Sequence, residues 1–94
     1  MQVQLVAQIN LLPTEHGGRF TPLVSGEWRT VFGIGGEHWS ARLQFSGNPA
    51  PGETFEAGVQ FLVAEAVQHF PVGAHFTVWE NGNKGEGRVL RVAA

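Results

Sequence analysis

Apolar and polar residues alternate along most of this chain with a period of two. Val3, Leu5, Ala7, Ile9 and Leu11 alternate with Gln2, Gln4, Gln8 and Asn10, the pattern of a strand that buries one face. Pro13 ends this segment, and Thr14 to Gly18 supply loop chemistry. Trp28, Thr30, Phe32 and Ile34 then share one face of a strand predicted over Glu27–Ile34. Trp39, Ala41, Leu43 and Phe45 share one face of a strand predicted over Glu37–Phe45. The Gly35-Gly36 pair between them suits the φ > 0 positions of a two-residue hairpin turn. Pairing across that turn sets Phe32 opposite Trp39, a core pair. It also sets Arg29 opposite Arg42, two like charges on the solvent face at a mild cost.

Ser46 to Gly52, with Pro49 and Pro51, reads as a loop. A fourth strand alternates Phe55, Ala57, Val59, Phe61 and Val63 over Thr54, Glu56, Gly58 and Gln60. Leu62 to Val67 has tolerable helix formers, but Pro71 and Gly73 close it early, so a strand end followed by an irregular turn is expected. Ala74–Glu80 and Arg88–Val92 are the last predicted strands, joined by Asn81-Gly82-Asn83-Lys84-Gly85, residues that tolerate φ > 0. Six strands spaced evenly by turns predict an all-β fold, a six-stranded antiparallel β-barrel closed or nearly closed. An imperfect seam in it could pair edge to edge. Ninety-four residues make one domain, 1–94.

Composition narrows the function classes. A hydrophobic share of 43% with 15% charged residues is that of a folded domain. At this length only somewhat above ~60% of the unfolded surface is buried, so stability is modest. There is no cysteine, which removes disulfides and thiolate metal sites. All eight acidic residues are Glu, which removes the Asp-led calcium loop. The net charge of −2 disfavours RNA or DNA as a main partner, although a local basic patch is compatible with it. Met1 to Leu12 alternates and has no basic leader, and no run approaches the ~20 apolar residues of a spanning helix. A cytoplasmic, soluble protein with no membrane partner is expected.

Candidate chemistry is sparse. His16, His38, His69 and His75 lack the i, i+4 or H-x-H spacing that brings two ligands together, so no metal is expected. None of Ser25, Ser40 and Ser46 sits in Gly-x-Ser-x-Gly, and no Asp is present to orient a histidine. His38 and Ser40 share a strand face that should be solvated. Gly17-Gly18 and Gly33-x-Gly35-Gly36 precede predicted strands rather than a helix N-terminus, which favours turns over phosphate binding. Without Gly-x-x-x-x-Gly-Lys-Ser/Thr there is no cradle for GTP, and no cofactor is expected. Arg19, after a Gly-Gly turn, is placed to hydrogen-bond carbonyls of neighbouring loops. Trp28 and Trp39 fit the inward face. Trp79 falls out of phase with Phe76 and Val78: it either covers a barrel end or stands exposed beside Lys84 and Arg88 as a partner anchor.

Several short motifs occur in one order. Ala7–Leu12 leads to Glu15-His16 and Gly17-Gly18-Arg19, then Phe20-Thr21-Pro22 and Gly26. Pro51-Gly52-Glu53 precedes the fourth strand. His75-Phe76-Thr77-Val78-Trp79-Glu80-Asn81-Gly82 and Gly85-Glu86-Gly87-Arg88-Val89 close the chain. In this order they resemble the C-terminal (third) β-barrel domain of elongation factor Tu over about residues 3–92. The resemblance implies that barrel fold, and in the family the domain docks on a GTPase domain and an exchange factor and touches the T stem of tRNA. This chain departs from the family where tRNA is met: Glu27-Trp28-Arg29-Thr30 replaces Tyr-Arg-Pro-Gln, Gly35-Gly36 replaces a Thr-rich loop, and Trp79 replaces an Arg. The chain runs from Met1 to Ala94, close to where the family's domain ends, so a complete gene product is expected. A non-catalytic protein-interaction module, not an enzyme, is therefore the leading expectation, with Arg19, Arg29, Trp79, Lys84 and Arg88 as partner-binding residues. RNA or tRNA binding through Arg19, Arg29, Arg42, Lys84 and Arg88 is the alternative. A small enzyme or metal binder using the histidines ranks third.

Overall fold

The computed structural model describes residues 2–93. The alternating segments become six strands: β1 (Leu5–Leu11), β2 (Gly26–Ile34), β3 (Glu37–Phe45), β4 (Thr54–Phe61), β5 (His75–Trp79) and β6 (Asn83–Val92). They close into a barrel in the order β1-β4-β3-β2-β5-β6, and every neighbouring pair is antiparallel. The Gly35-Gly36 turn takes φ of 58° and 82°, the left-handed values that only glycine adopts without penalty in both positions. It sets the expected register, with Phe32 opposite Trp39 and Arg29 opposite Arg42. The ring gives every strand a hydrogen-bonded neighbour on each side. The β2–β5 seam is the shortest, spanning only Val31 to Gly33 on β2.

Inward positions fill the barrel. Phe32, fully buried, stacks on Phe76 at 4.2 Å between ring centroids and meets Phe61 and Phe70 at 5.9 Å each. Offset and edge-on geometries of this kind add to plain area burial. One mouth of the barrel is closed by the segment between β4 and β5. There a 3-10 helix, Ala64–His69, buries Ala66 and delivers Phe70 into the core. The opposite mouth is closed by Leu23, whose N–H donates to the Pro49 carbonyl at 2.8 Å, and by Trp28.

Four local expectations are corrected. β1 begins at Leu5 and not at Val3, and β4 ends at Phe61 and not at Val63; Leu62 and Val63 turn out to solvent. The stretch after β4 is a 3-10 helix and not an irregular turn, because Phe70 must reach back under the barrel. β6 begins at Asn83, so the loop before it is only Glu80-Asn81-Gly82, with φ of 54° at Asn81 and 106° at Gly82. Gly85, expected in the turn, and Gly87, expected to precede the strand, are both strand residues on the inward face. A Cβ on Gly85 would stand 2.7 Å from the Asn10 carbonyl oxygen, and one on Gly87 would enter the Phe76 ring. Both are glycine because the barrel wall is too close for a side chain. Trp28 is buried as expected, whereas Trp39 is half-buried at the edge of the core and stacks on His69 at 4.9 Å.

Candidate functional site

The outward face of the β2–β3 hairpin forms the floor of a groove of about 830 Å³. Arg29 and Val31 on β2 and Ser40 and Arg42 on β3 project there because each alternates with an inward core residue. Gln60 and Leu62 raise one rim. Trp79 and the Asn81-Gly82 turn raise the other. Leu62 is held at its rim by its N–H, which donates to the Ser40 carbonyl at 3.0 Å, while its side chain is 82% exposed.

Trp79 stands outward, in the phase that the sequence assigns to it, and is 36% exposed. It neither caps a barrel end nor stands free. Its indole N–H donates to Thr77 Oγ1 at 2.6 Å, and the His38 ring meets it edge-on at 5.3 Å. The indole lies over Gly33, where a Cβ would be 2.9 Å from its nitrogen and 2.6 Å from Thr77 Oγ1. The glycine of β2 is thus the seat of the exposed aromatic. Below it, Thr30 Oγ1 donates to the Trp79 carbonyl at 2.6 Å.

The Arg29–Arg42 pair is not the unrelieved repulsion that register alone suggests. Glu27 Oε1 lies 2.8 Å from Arg42 Nε and 3.6 Å from Arg29 Nε. One carboxylate therefore serves two guanidinium groups.

The remaining candidate residues sit elsewhere. Arg19 closes the mouth beside Trp28: it is ion-paired to Glu80 Oε1, donates to the Thr21 carbonyl at 3.2 Å, and lies 5.6 Å above the Trp28 ring. Trp28 Nε1 donates to the other oxygen of Glu80 at 3.1 Å. Arg19 thus has a structural duty, but its partner across loops is the Glu80 carboxylate, which the sequence does not single out, and the one carbonyl it reaches is in its own loop. Lys84 Nζ donates to the Gly17 carbonyl at 3.0 Å, which ties β6 to the Gly-Gly turn. Arg88 is opposite His75, at the far end of β5 from Trp79. Of the five sequence candidates, only Arg29 and Trp79 come together in the groove. Gln60 of β4 and Leu62, the first residue after it, join them and have no sequence signal beyond outward phase.

The Arg19–Glu80–Trp28 cluster yields a direct expectation. Glu80→Ala leaves Trp28 Nε1 unpaired and Arg19 without its counter-charge, at a cost of about 2 kcal/mol. Chemical unfolding of the variant checks it, and Glu80→Gln, which keeps one acceptor, should recover part of the loss. An unchanged midpoint for Glu80→Ala would show that the cluster is not a structural tie.

The four histidines are dispersed. His38 and His69 pack on Trp79 and Trp39, His75 is on β5 opposite Arg88, and His16 ends the Thr14–His16 turn. Among the described residues no three His or Glu side chains gather as a metal ion would require. His38 and Ser40 both line the groove. Among the same residues no helix is long and apolar enough to cross a membrane.

The fold and groove define an all-β protein, a closed six-stranded antiparallel barrel with a recognition-sized depression on its outer wall. Compared with known proteins, the chain matches no family model, and no curated sequence matches it at a significant level.

Proposed function

We propose that this chain is a free-standing relative of the third domain of elongation factor Tu and works as a non-catalytic protein-interaction module in the cytoplasm. The observation that carries this reading is the outer-wall groove, in which an exposed leucine and a half-exposed tryptophan face each other across a polar floor. Tryptophan beside arginine is the composition of protein-binding hot spots, and the exposed leucine adds apolar area next to them. The ordered motifs support the kinship. Gly17 has φ of 91°, Gly18 lies too close to the Leu12 carbonyl for any side chain, and Arg19 has an ion-pair partner in Glu80, the Glu of the late motif. These four motif residues each have a conformational or pairing reason to be where they are.

RNA binding is the second reading, favoured by the adjacency of Arg29 and Arg42. Arg19 and Lys84 are committed to intramolecular contacts and Arg88 is beyond β5, so the five cations that reading invokes do not converge. No GTP, metal or other cofactor enters either reading.

Photocross-linking separates the two. A benzoyl-phenylalanine at Gln60 should yield a discrete protein adduct in an extract of the source organism, and one at Glu86 on β6 should not. The adduct should weaken when Leu62→Ser is added. Recovery of RNA in place of protein would favour the second reading, and equal adducts from both positions would remove the groove as the site.

A further inference from the structure

The register of the barrel organises the groove into two parallel rows. Gln60 pairs with Arg42 and Arg42 with Arg29, which gives a polar row across β4, β3 and β2. Two residues further along each strand, Leu62 is bonded to Ser40, Ser40 pairs with Val31, and Val31 pairs with Trp79. This second row begins and ends on an apolar side chain. Three interstrand steps separate Leu62 from Trp79, about 14 Å, and the rows lie about 7 Å apart. An extended peptide crosses such a span in about four or five residues.

The charge of the first row indicates what should lie over it. Two guanidinium groups share the single carboxylate of Glu27 through their Nε atoms. A guanidinium has five donors, so the pair retains capacity for a second carboxylate and one uncompensated positive charge. Glu80 also borders the groove, but both of its oxygens are engaged by Arg19 and Trp28. The groove therefore keeps a local positive row in a chain of net charge −2.

We infer that the groove binds an extended acidic peptide segment, with apolar side chains seated on Leu62 and Trp79 and the intervening carboxylates on Arg42 and Arg29. This rests on the interaction-module reading and gives its partner a chemistry. One excess charge is too little for a polyanion, whose affinity rises with the number of phosphates neutralised. It suits one or two carboxylates flanked by apolar anchors.

The test is an amide NMR titration of the whole protein with the capped peptide Gly-Leu-Glu-Glu-Glu-Phe-Gly, its Gln-for-Glu analogue, and oligouridylate. The acidic peptide should shift Arg29, Val31, Ser40, Arg42, Leu62 and the Trp79 indole N–H, and the Gln analogue should bind about tenfold or more weakly. Leu62→Ser should weaken the acidic peptide several-fold with unfolding unchanged, because that side chain is exposed. Arg42→Gln should abolish the preference for Glu over Gln. Equal binding of the two peptides, or shifts outside the groove, would overturn the acidic class. A protein adduct from Gln60 would still uphold the module reading in that case. Oligouridylate moving the groove resonances while neither peptide does would overturn both. Groove shifts that depend on protein concentration alone would assign the surface to a second copy of the chain and overturn the peptide assignment.

Discussion

Phe32→Ala is expected to remove about 3–5 kcal/mol of folding stability. Phe32 is the ring on which Phe61, Phe70 and Phe76 all converge, and those three come from β4, the segment after the Ala64–His69 helix, and β5. Deleting it opens a cavity bounded by strands hydrogen-bonded into a closed ring, which have little freedom to collapse inward. A domain of this length has roughly 5–15 kcal/mol in total, so the loss is a large part of what holds it folded. Urea unfolding at 25 °C should show the midpoint falling steeply, whereas Phe32→Leu should cost much less because it keeps most of the volume. If Phe32→Ala unfolds at the wild-type midpoint, the aromatic cluster is not the organising core.

Gly87→Ala is expected to destabilise by about 2 kcal/mol, against the usual sign for glycine in a strand. A strand glycine is normally a weak point, and alanine there gains roughly 0.5–1 kcal/mol of backbone entropy. At Gly87 the added carbon would penetrate the Phe76 ring, which is already stacked on Phe32. Overpacking of this kind typically costs 1–3 kcal/mol and at worst more. Glu86→Ala, one residue earlier and outward-facing, should change stability by no more than about 0.5 kcal/mol. Paired thermal melts of these two variants decide the matter: a stabilised Gly87→Ala would mean the ring moves aside freely.

Gly87 also shows where sequence reading meets its limit. Period-two alternation locates five strands and the second half of β6, and the Gly35-Gly36 turn is enough to set the β2–β3 register residue by residue, because a two-residue turn leaves no slack. Gly85 reads as a turn residue, and Gly87 falls outside the predicted strand, because a local reading cannot distinguish a glycine that bends the chain from one that makes room for a neighbour. The neighbours in question, Asn10 and Phe76, belong to other strands. The Ala64–His69 helix was hidden for the same reason: its purpose is to carry Phe70 to a ring far away in sequence.

For the groove, outward phase correctly separated Trp79 from Phe76 and Val78. That Lys84 and Arg88 would not join it depends on the irregularity between Val78 and Trp79 and on the length of β6. The groove itself is assembled across four strands; Arg29 opposite Arg42, His38 beside Ser40 and the outward Trp79 are legible in the sequence, but their meeting with Gln60 and Leu62 is not.

Gln4 and Ala93 meet in the closed ring, the Ala93 N–H donating to the Gln4 carbonyl at 2.8 Å, next to the Leu5–Val92 pair. The order in which the strands are read is therefore not essential to the architecture. A short linker from residue 93 back to residue 4, with new ends opened at Gly35-Gly36, would yield a circularly permuted chain with the same barrel. The same adjacency lets the domain be spliced into a surface turn of a host protein, whose two stubs need stand only about 5 Å apart, one interstrand spacing.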